Sequence, residues 1–200
     1  MLCTFIISSS GWRLTFAGSL LRGLCHNHRK LHTCYIFSEQ VKIIAIMAGM
    51  SKKEIRKFLM QGTFTGKLTT IKKDGSCHIV PIWFVLDDGI RRGGSSIGQD
   101  IILTTDGTSV KAKNIQRDNR VSICVDDQTP PFSFVIVYGT ARIHHCTQNE
   151  LFKFATKIAQ RYMGKDNAER YGRRNSNEGE VLVRIKPTRI LAEKDIAGWD

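Results

Sequence analysis

The sequence predicts a mainly β domain, an antiparallel barrel with appended helices. Three observations carry that prediction. Short apolar runs bounded by tight turn signals fill residues 64–144 and return at 180–192. Only one long stretch, about 148–163, has a strong helical period. Strands and helices do not alternate, which disfavours a doubly wound parallel sheet.

The elements follow in order. Ile55, Phe58 and Leu59 recur at i, i+3 and i+4 behind Ser51, a good N-cap, so a short amphipathic helix opens the domain and Gly62 ends it. Phe64–Ile71 reads as a strand, and Asp74-Gly75 is a hairpin signal. Cys77–Leu86 is a second strand, apolar on both faces. Pro81 within it cannot donate to a ladder, so a bulge or a sheet edge is expected there. Asp87–Gln99 is a loop, Asp100–Thr105 a third strand, Asp106-Gly107 a turn, and Ser109–Arg117 a helix. Asn119–Asp126 and Phe132–His144 are strands four and five, separated by Gln128-Thr129-Pro130-Pro131. Leu151, Phe154, Ala155, Ile158, Ala159 and Tyr162 set the long helix, and Ala168–Arg174 extends the helical region. Glu180–Lys186 and Arg189–Ala192 are two final strands joined near Pro187.

The chain has 200 residues, 30 Lys+Arg against 18 Asp+Glu, and a formal charge of +12, which calls for an anionic partner without naming it. The charge is split. Residues 1–46 carry five basic residues and one acid, 5 − 1 = +4, and residues 47–200 hold the other 25 and 17, which is +8. The first segment has no sustained period. It is read as a leader outside the domain: a targeting-like segment, a metal site around Cys25, His26, His28, His32 and Cys34, or, as favoured, an over-long start with initiation at Met47 or Met50. Residues 47–200 form the domain. No run approaches eighteen apolar residues, so no membrane helix is expected. Cys77, Cys124 and Cys146 are odd in number and widely spaced, which fits a reducing, cytoplasmic setting. The aromatics are not interleaved with Lys/Arg and no recognition motif is present, so nucleic acid is not the expected partner.

Two segments hold candidate chemistry. In Thr104–Asn114 a buried strand ends in two hydroxyls, turns at a glycine and starts a helix containing Lys111 and Lys113. A helix N-terminus disfavours lysine by roughly 0.3–1 kcal/mol unless an anion sits there. The alternatives are a phosphate site and a capped helix with a solvated basic face. In His78–Phe84 a proline beside an aromatic pair offers strand backbone to a planar ligand, or is simply a core strand holding Trp83. There is no G-x-S-x-G elbow, P-loop or H-E-x-x-H. Adjacent His144 and His145 point to opposite strand faces and make a poor metal pair.

The runs Gly66–Phe84, Lys111–Val121, Asp126–Val135, Tyr138–Ala141, Arg161-Tyr162 and Val183–Arg189 together resemble the pyridoxamine 5′-phosphate oxidase-like split-barrel family, over about residues 51–198. More narrowly they resemble its coenzyme F420-dependent branch. The resemblance implies a six-stranded antiparallel split β-barrel of the FMN-binding type. It also implies a homodimer with cofactor at the subunit interface, and hydride transfer to a small conjugated substrate. By position, His78, Val80, Pro81, Ile82 and Trp83 would line the ring. Thr104, Thr105, Ser109, Lys111 and Lys113 would hold the phosphate end, and Asn114 would support it. The loop Arg91–Gln99 is longer than the family's usual connection. Flavin-using members often carry Arg where this chain has Val110, so the resemblance leans to the deazaflavin F420, with FMN as the alternative. A flavin- or haem-binding protein without turnover is a further alternative. No residue is assigned as an obligatory catalytic acid or base, because the cofactor carries the chemistry.

Overall fold

The computed structural model describes residues 49–87, 99–144 and 146–197, plus a hairpin of β1 (Ile6–Ser8) and β2 (Gly11–Arg13). Two compact units divide between Ile46 and Met47. The Cys/His cluster of residues 25–34, most of the loop 91–99 and His145 lie outside the described residues.

The second unit begins with α1 (Lys52–Leu59), capped as its sequence predicts. The Ser51 hydroxyl accepts from the Glu54 N–H, and the Glu54 carboxylate accepts from the Ser51 N–H. β3 (Gly66–Ile71) and β4 (Cys77–Ile82) form a hairpin whose turn uses Gly75 at φ +82°, where only glycine is unstrained. β5 (Val85–Leu86), β6 (Ile101–Asp106), α2 (Val110–Arg117), β7 (Arg120–Asp127) and β8 (Ser133–His144) follow. The chain ends with α3 (Gln148–Met163), α4 (Ala168–Arg174) and β9 (Glu180–Glu193).

All pairings are antiparallel, in the order β4-β3-β7-β8-β9-β6-β5. β4 and β5 are consecutive in the chain yet lie at opposite edges of this sheet. Only Trp83 and Phe84 separate them, so the two edges must meet. The expected strand 77–86 is therefore one segment broken in the middle, pairing with β3 through its first arm and with β6 through its second. That curls six chain segments into a split barrel with appended helices, as the sequence predicts. Pro81 sits on the exposed side of the edge strand β4, and the β3–β4 register runs without a shift. Of the two expectations for it, the edge is realised and the bulge is not.

One strand prediction is corrected. Glu180–Lys186 and Arg189–Ala192 are a single strand, β9. Tyr138 pairs with Arg189 and Gly139 with Pro187, so Thr188 is left over as a bulge. The bulge lies directly beside Pro187, which has no N–H to give a ladder, and the strand continues past it.

The barrel interior is filled by Leu68, Phe84, Ile101, Leu103, Ile123, Val135, Val183 and Ile185, all fully buried. Their chain neighbours Ile102 and Leu182 point outward into a second cluster with Val85, Leu151, Phe154 and Ile158. β6 is thus buried on both faces, which is why its sequence is continuously apolar rather than alternating. α3 covers that outer face with the side that carries the helical period.

Candidate functional site

A groove of about 340 Å³ opens at the break between β4 and β5. Pro81, Ile82 and Trp83 form one wall, and Thr104, Thr105 and Asp106 at the end of β6 form the other. Lys111 reaches it from α2, Ile158 from α3, and Asn175 and Glu180 complete the lining.

The break itself is built from α3. Residues 83–84 have no ladder partner, so their backbone groups need other satisfaction. Tyr162 and Arg161 supply it for Phe84. The Phe84 N–H donates to the Tyr162 hydroxyl at 3.4 Å, and that hydroxyl donates to the Phe64 carbonyl at 2.8 Å. Arg161 donates to four carbonyls: Nη1 to Phe84 at 2.9 Å, Nη2 to Leu59 at 2.8 Å and Phe64 at 3.3 Å, and Nε to Gly62 at 3.0 Å. Its guanidinium also lies over the Phe84 ring at 4.5 Å and the Tyr162 ring at 5.0 Å. Burial holds the Arg161 pKa below its ordinary value and the Tyr162 pKa above its own.

The Tyr162 ring stacks behind Trp83, with centroids 5.0 Å apart and planes 3° apart. Such a pair contributes roughly 0.5–1.5 kcal/mol beyond its buried area. Trp83 is therefore a backed wall and not a free rotor.

At the polar end, Ser109 caps α2 by accepting from the Ala112 N–H at 3.3 Å, and its hydroxyl lies 3.3 Å from that of Thr105. Thr108 gives both its N–H and hydroxyl to Asp106, each at 2.6 Å, and these bonds hold the Asp106 carboxyl below its usual range, with Lys111 and Lys113 adding to the effect. The Glu180 carboxyl is pushed up, first by burial and then by Asp106, against the pull of Lys111. No acid stands in the first turn of α2, so its N-terminal dipole faces lysines unopposed.

The structure divides the candidate residues. Pro81, Ile82, Trp83, Thr104, Thr105 and Lys111 line the groove, and Ser109 touches Thr105 behind it. His78 and Val80 share the inward face of β4 with Ile82; the His78 carbonyl accepts from Thr70, and Val80 packs on the interior core. Lys113 and Asn114 face a second opening with Lys72, Lys73, Asp74, Val110 and Arg117. Asn114 is buried: its amide donates to Thr70 at 3.0 Å and its carbonyl accepts from Arg117 at 3.0 Å, pinning α2 to the β3–β4 hairpin. Arg117 also donates to the Ile71 carbonyl.

Sequence reasoning missed Glu180, Asn175 and Ile158 as lining, and Arg161 and Tyr162 as builders of the break. Ile158 and Tyr162 stood in the helical period as core positions. Arg161-Tyr162 is one of the runs that carry the family resemblance, but nothing local assigns Arg161 this role: its four acceptors are 77 to 102 residues away in the chain.

The sequence profile described as Pyridoxamine 5'-phosphate oxidase matches residues 51–194. No curated protein matches the chain. Among solved structures, the conserved hypothetical protein Rv2991 of Mycobacterium tuberculosis is similar at 28% identity and TM-score 0.60, over 73% of this chain and 86% of that one. A protein described as F420 Reductase is similar at 20% identity and TM-score 0.51, over 67% and 94%. HutZ, described as the haem storage protein of Vibrio cholerae, is similar at 14% identity and TM-score 0.53, over 71% and 94%. The last two likenesses concern the fold alone. No helix among the described residues is long and apolar enough to cross a membrane.

Proposed function

This chain belongs to the pyridoxamine 5′-phosphate oxidase family, a flavin-binding split-barrel family, and on that premise we propose that it is an oxidoreductase. It transfers a hydride between coenzyme F420 and a small conjugated organic substrate. The observation that carries this reading is the groove at the barrel split. An aromatic wall and a strand edge stand at one end, and hydroxyls and a lysine at the other. A planar ring bearing an anionic arm has that same division of chemistry.

In this reading Ile82 and the backed Trp83 exclude water and fix the ring plane. The hydroxyls of Thr104 and Thr105 and the ammonium of Lys111 hold the phosphate end, with Ser109 behind them. The bound deazaflavin supplies the hydride chemistry, and the chain supplies orientation. Val110 favours the deazaflavin over FMN: it is 51% exposed and brings no cation to the position where flavin users of the family often carry Arg. Ile79, at 62% exposure on the outward face of β4, gives a second copy an apolar seat beside the groove, and a homodimer is part of the proposal. So is a reducing, cytoplasmic setting, in which Cys77, Cys124 and Cys146 stay free thiols.

The test is a titration of the purified chain with F420, FMN and haemin, followed by absorption and fluorescence. Micromolar affinity for F420 with turnover of an enone or nitroaromatic acceptor is the expected result. Binding of neither F420 nor FMN refutes the oxidoreductase. Haemin binding without turnover identifies the carrier alternative instead.

A further inference from the structure

The groove's polar end is not purely basic. Asp106 and Glu180 are directly opposed across β6 and β9, and both line the groove beside Lys111. Thr108 occupies Asp106 with two short hydrogen bonds, and Lys111 and Lys113 lie within its field. The Glu180 backbone N–H donates to the Asn177 carbonyl, and among the described residues its carboxylate has no hydrogen-bond partner. One lysine thus shares the groove with two carboxylates. With both ionised the polar end carries −1, and an incoming anion meets net repulsion.

We propose that Glu180 is a specificity-determining residue that takes up a proton when the anionic arm of the cofactor binds beside Lys111. Protonated, it turns from a like charge into a hydrogen-bond donor for a phosphate oxygen, and the polar end becomes neutral. Glu180 faces Asp106 from β6 and Lys111 from α2, and these set its balance. Its carboxyl already sits above its ordinary value for want of water and because of Asp106. An arriving anion pushes it further the same way. The proton comes from solvent and returns to it on release; no bond to the cofactor forms. The inference rests on the reading that the phosphate end lies at Lys111.

The linkage has a definite sign. A group whose pKa rises on binding makes the ligand tighter as pH falls. The dissociation constant changes by up to tenfold per pH unit between the free and bound pKa values of Glu180 and is flat outside that window. Glu180→Gln removes the charge and keeps the shape, so it abolishes the slope. At pH 8 the variant binds F420 about tenfold more tightly than the wild type.

The experiment measures affinity for F420 between pH 5.5 and 8.5 by fluorescence, and proton uptake by calorimetry in buffers of different ionisation enthalpy. The same deazaflavin lacking the phosphate arm is the second ligand, and it carries the same ring ionisation. Expected are proton uptake and a pH slope for F420 beyond those of the armless ligand, both lost in Glu180→Gln. Equal slopes for the two ligands, or a variant matching the wild type at every pH, overturn the role of Glu180 and leave the oxidoreductase standing. Failure of the wild type to bind either ligand overturns the reading and this inference together. Proton uptake is read on the wild type, so the outcome does not depend on the variant folding.

Discussion

Replacing Arg161 by alanine tests how the barrel split is held open. The side chain donates to the carbonyls of Leu59, Gly62, Phe64 and Phe84 and lies over two rings. A hydrogen bond from a charged donor contributes about 1.5–3 kcal/mol net. Four do not add fully, because they share one group and water reaches part of the site. Counting the equivalent of two lost bonds gives about 3–6 kcal/mol, and the ring contact adds about 0.5–1 kcal/mol. With a urea m-value of about 1–3 kcal/mol/M, the unfolding midpoint falls by at least about 1 M. Arg161→Lys keeps the charge but not the fork, and it should lose about half as much. Both are read by urea denaturation followed by circular dichroism. The damage is local before it is global: Phe84 loses its carbonyl partner, Trp83 loses its fixed plane, and cofactor affinity falls even in dilute buffer. A midpoint within about 0.3 M of the wild type would refute the account, since it would mean those carbonyls are served by water.

Further outcomes follow from the same structure. Lys111→Ala should weaken F420 at least about tenfold in a fluorescence titration, as loss of a charge-assisted contact does, while Lys113→Ala, facing the second opening, weakens it less than about threefold. Asn114→Ala should cost about 1–3 kcal/mol of stability by leaving buried Thr70 short of a donor, with cofactor affinity retained; the reverse pattern would return Asn114 to the cofactor site. Gly139→Ala drives a Cβ to 2.5 Å from the Lys186 carbonyl oxygen at the β8–β9 bulge, and thermal unfolding should report a loss of about 1–3 kcal/mol. The Glu54 carboxyl is lowered to about 2, chiefly by its bond to Lys194, then by Ser51. Because its folded pKa lies below 4.5, its contribution is complete above that pH and fades as pH falls from 4.5 towards 2. Glu54→Gln should flatten the acid limb of stability in that window; an unchanged limb contradicts the assignment.

Much of this molecule was legible locally, and for a plain reason. Caps, turn glycines and hydrophobic periods are settled within a few residues, so Ser51, Gly75, Ser109 and the face of α3 declared themselves in the sequence. The resemblance of the hairpin and helix motifs to a known family supplied the split barrel before any distance was known, and the matching profile over residues 51–194 bears it out.

Tertiary structure decided the remainder. Pro187 reads locally as the end of a strand, but a bulge against Tyr138 and Gly139 carries β9 through it. Lys111 and Lys113 read as one basic pair. Two residues along a helix turn the chain by roughly 200°, and the hairpin packed against α2 sends them to different openings. Glu180 looks like a strand terminus until the register sets it opposite Asp106 in the groove. The split depends on an acceptor, the Tyr162 hydroxyl, and a donor, the Arg161 guanidinium, that α3 delivers from far along the chain to a backbone without ladder partners. The sequence alone determined the helix N-caps, the turns and most of the strand and helix segments, because those choices are made between near neighbours; the break at Trp83-Phe84 and the continuity of β9 through Pro187 were not among them. Which side chains share a wall, and which charges face each other, is set by closure of the barrel, where the contacts are long-range and leave no local mark.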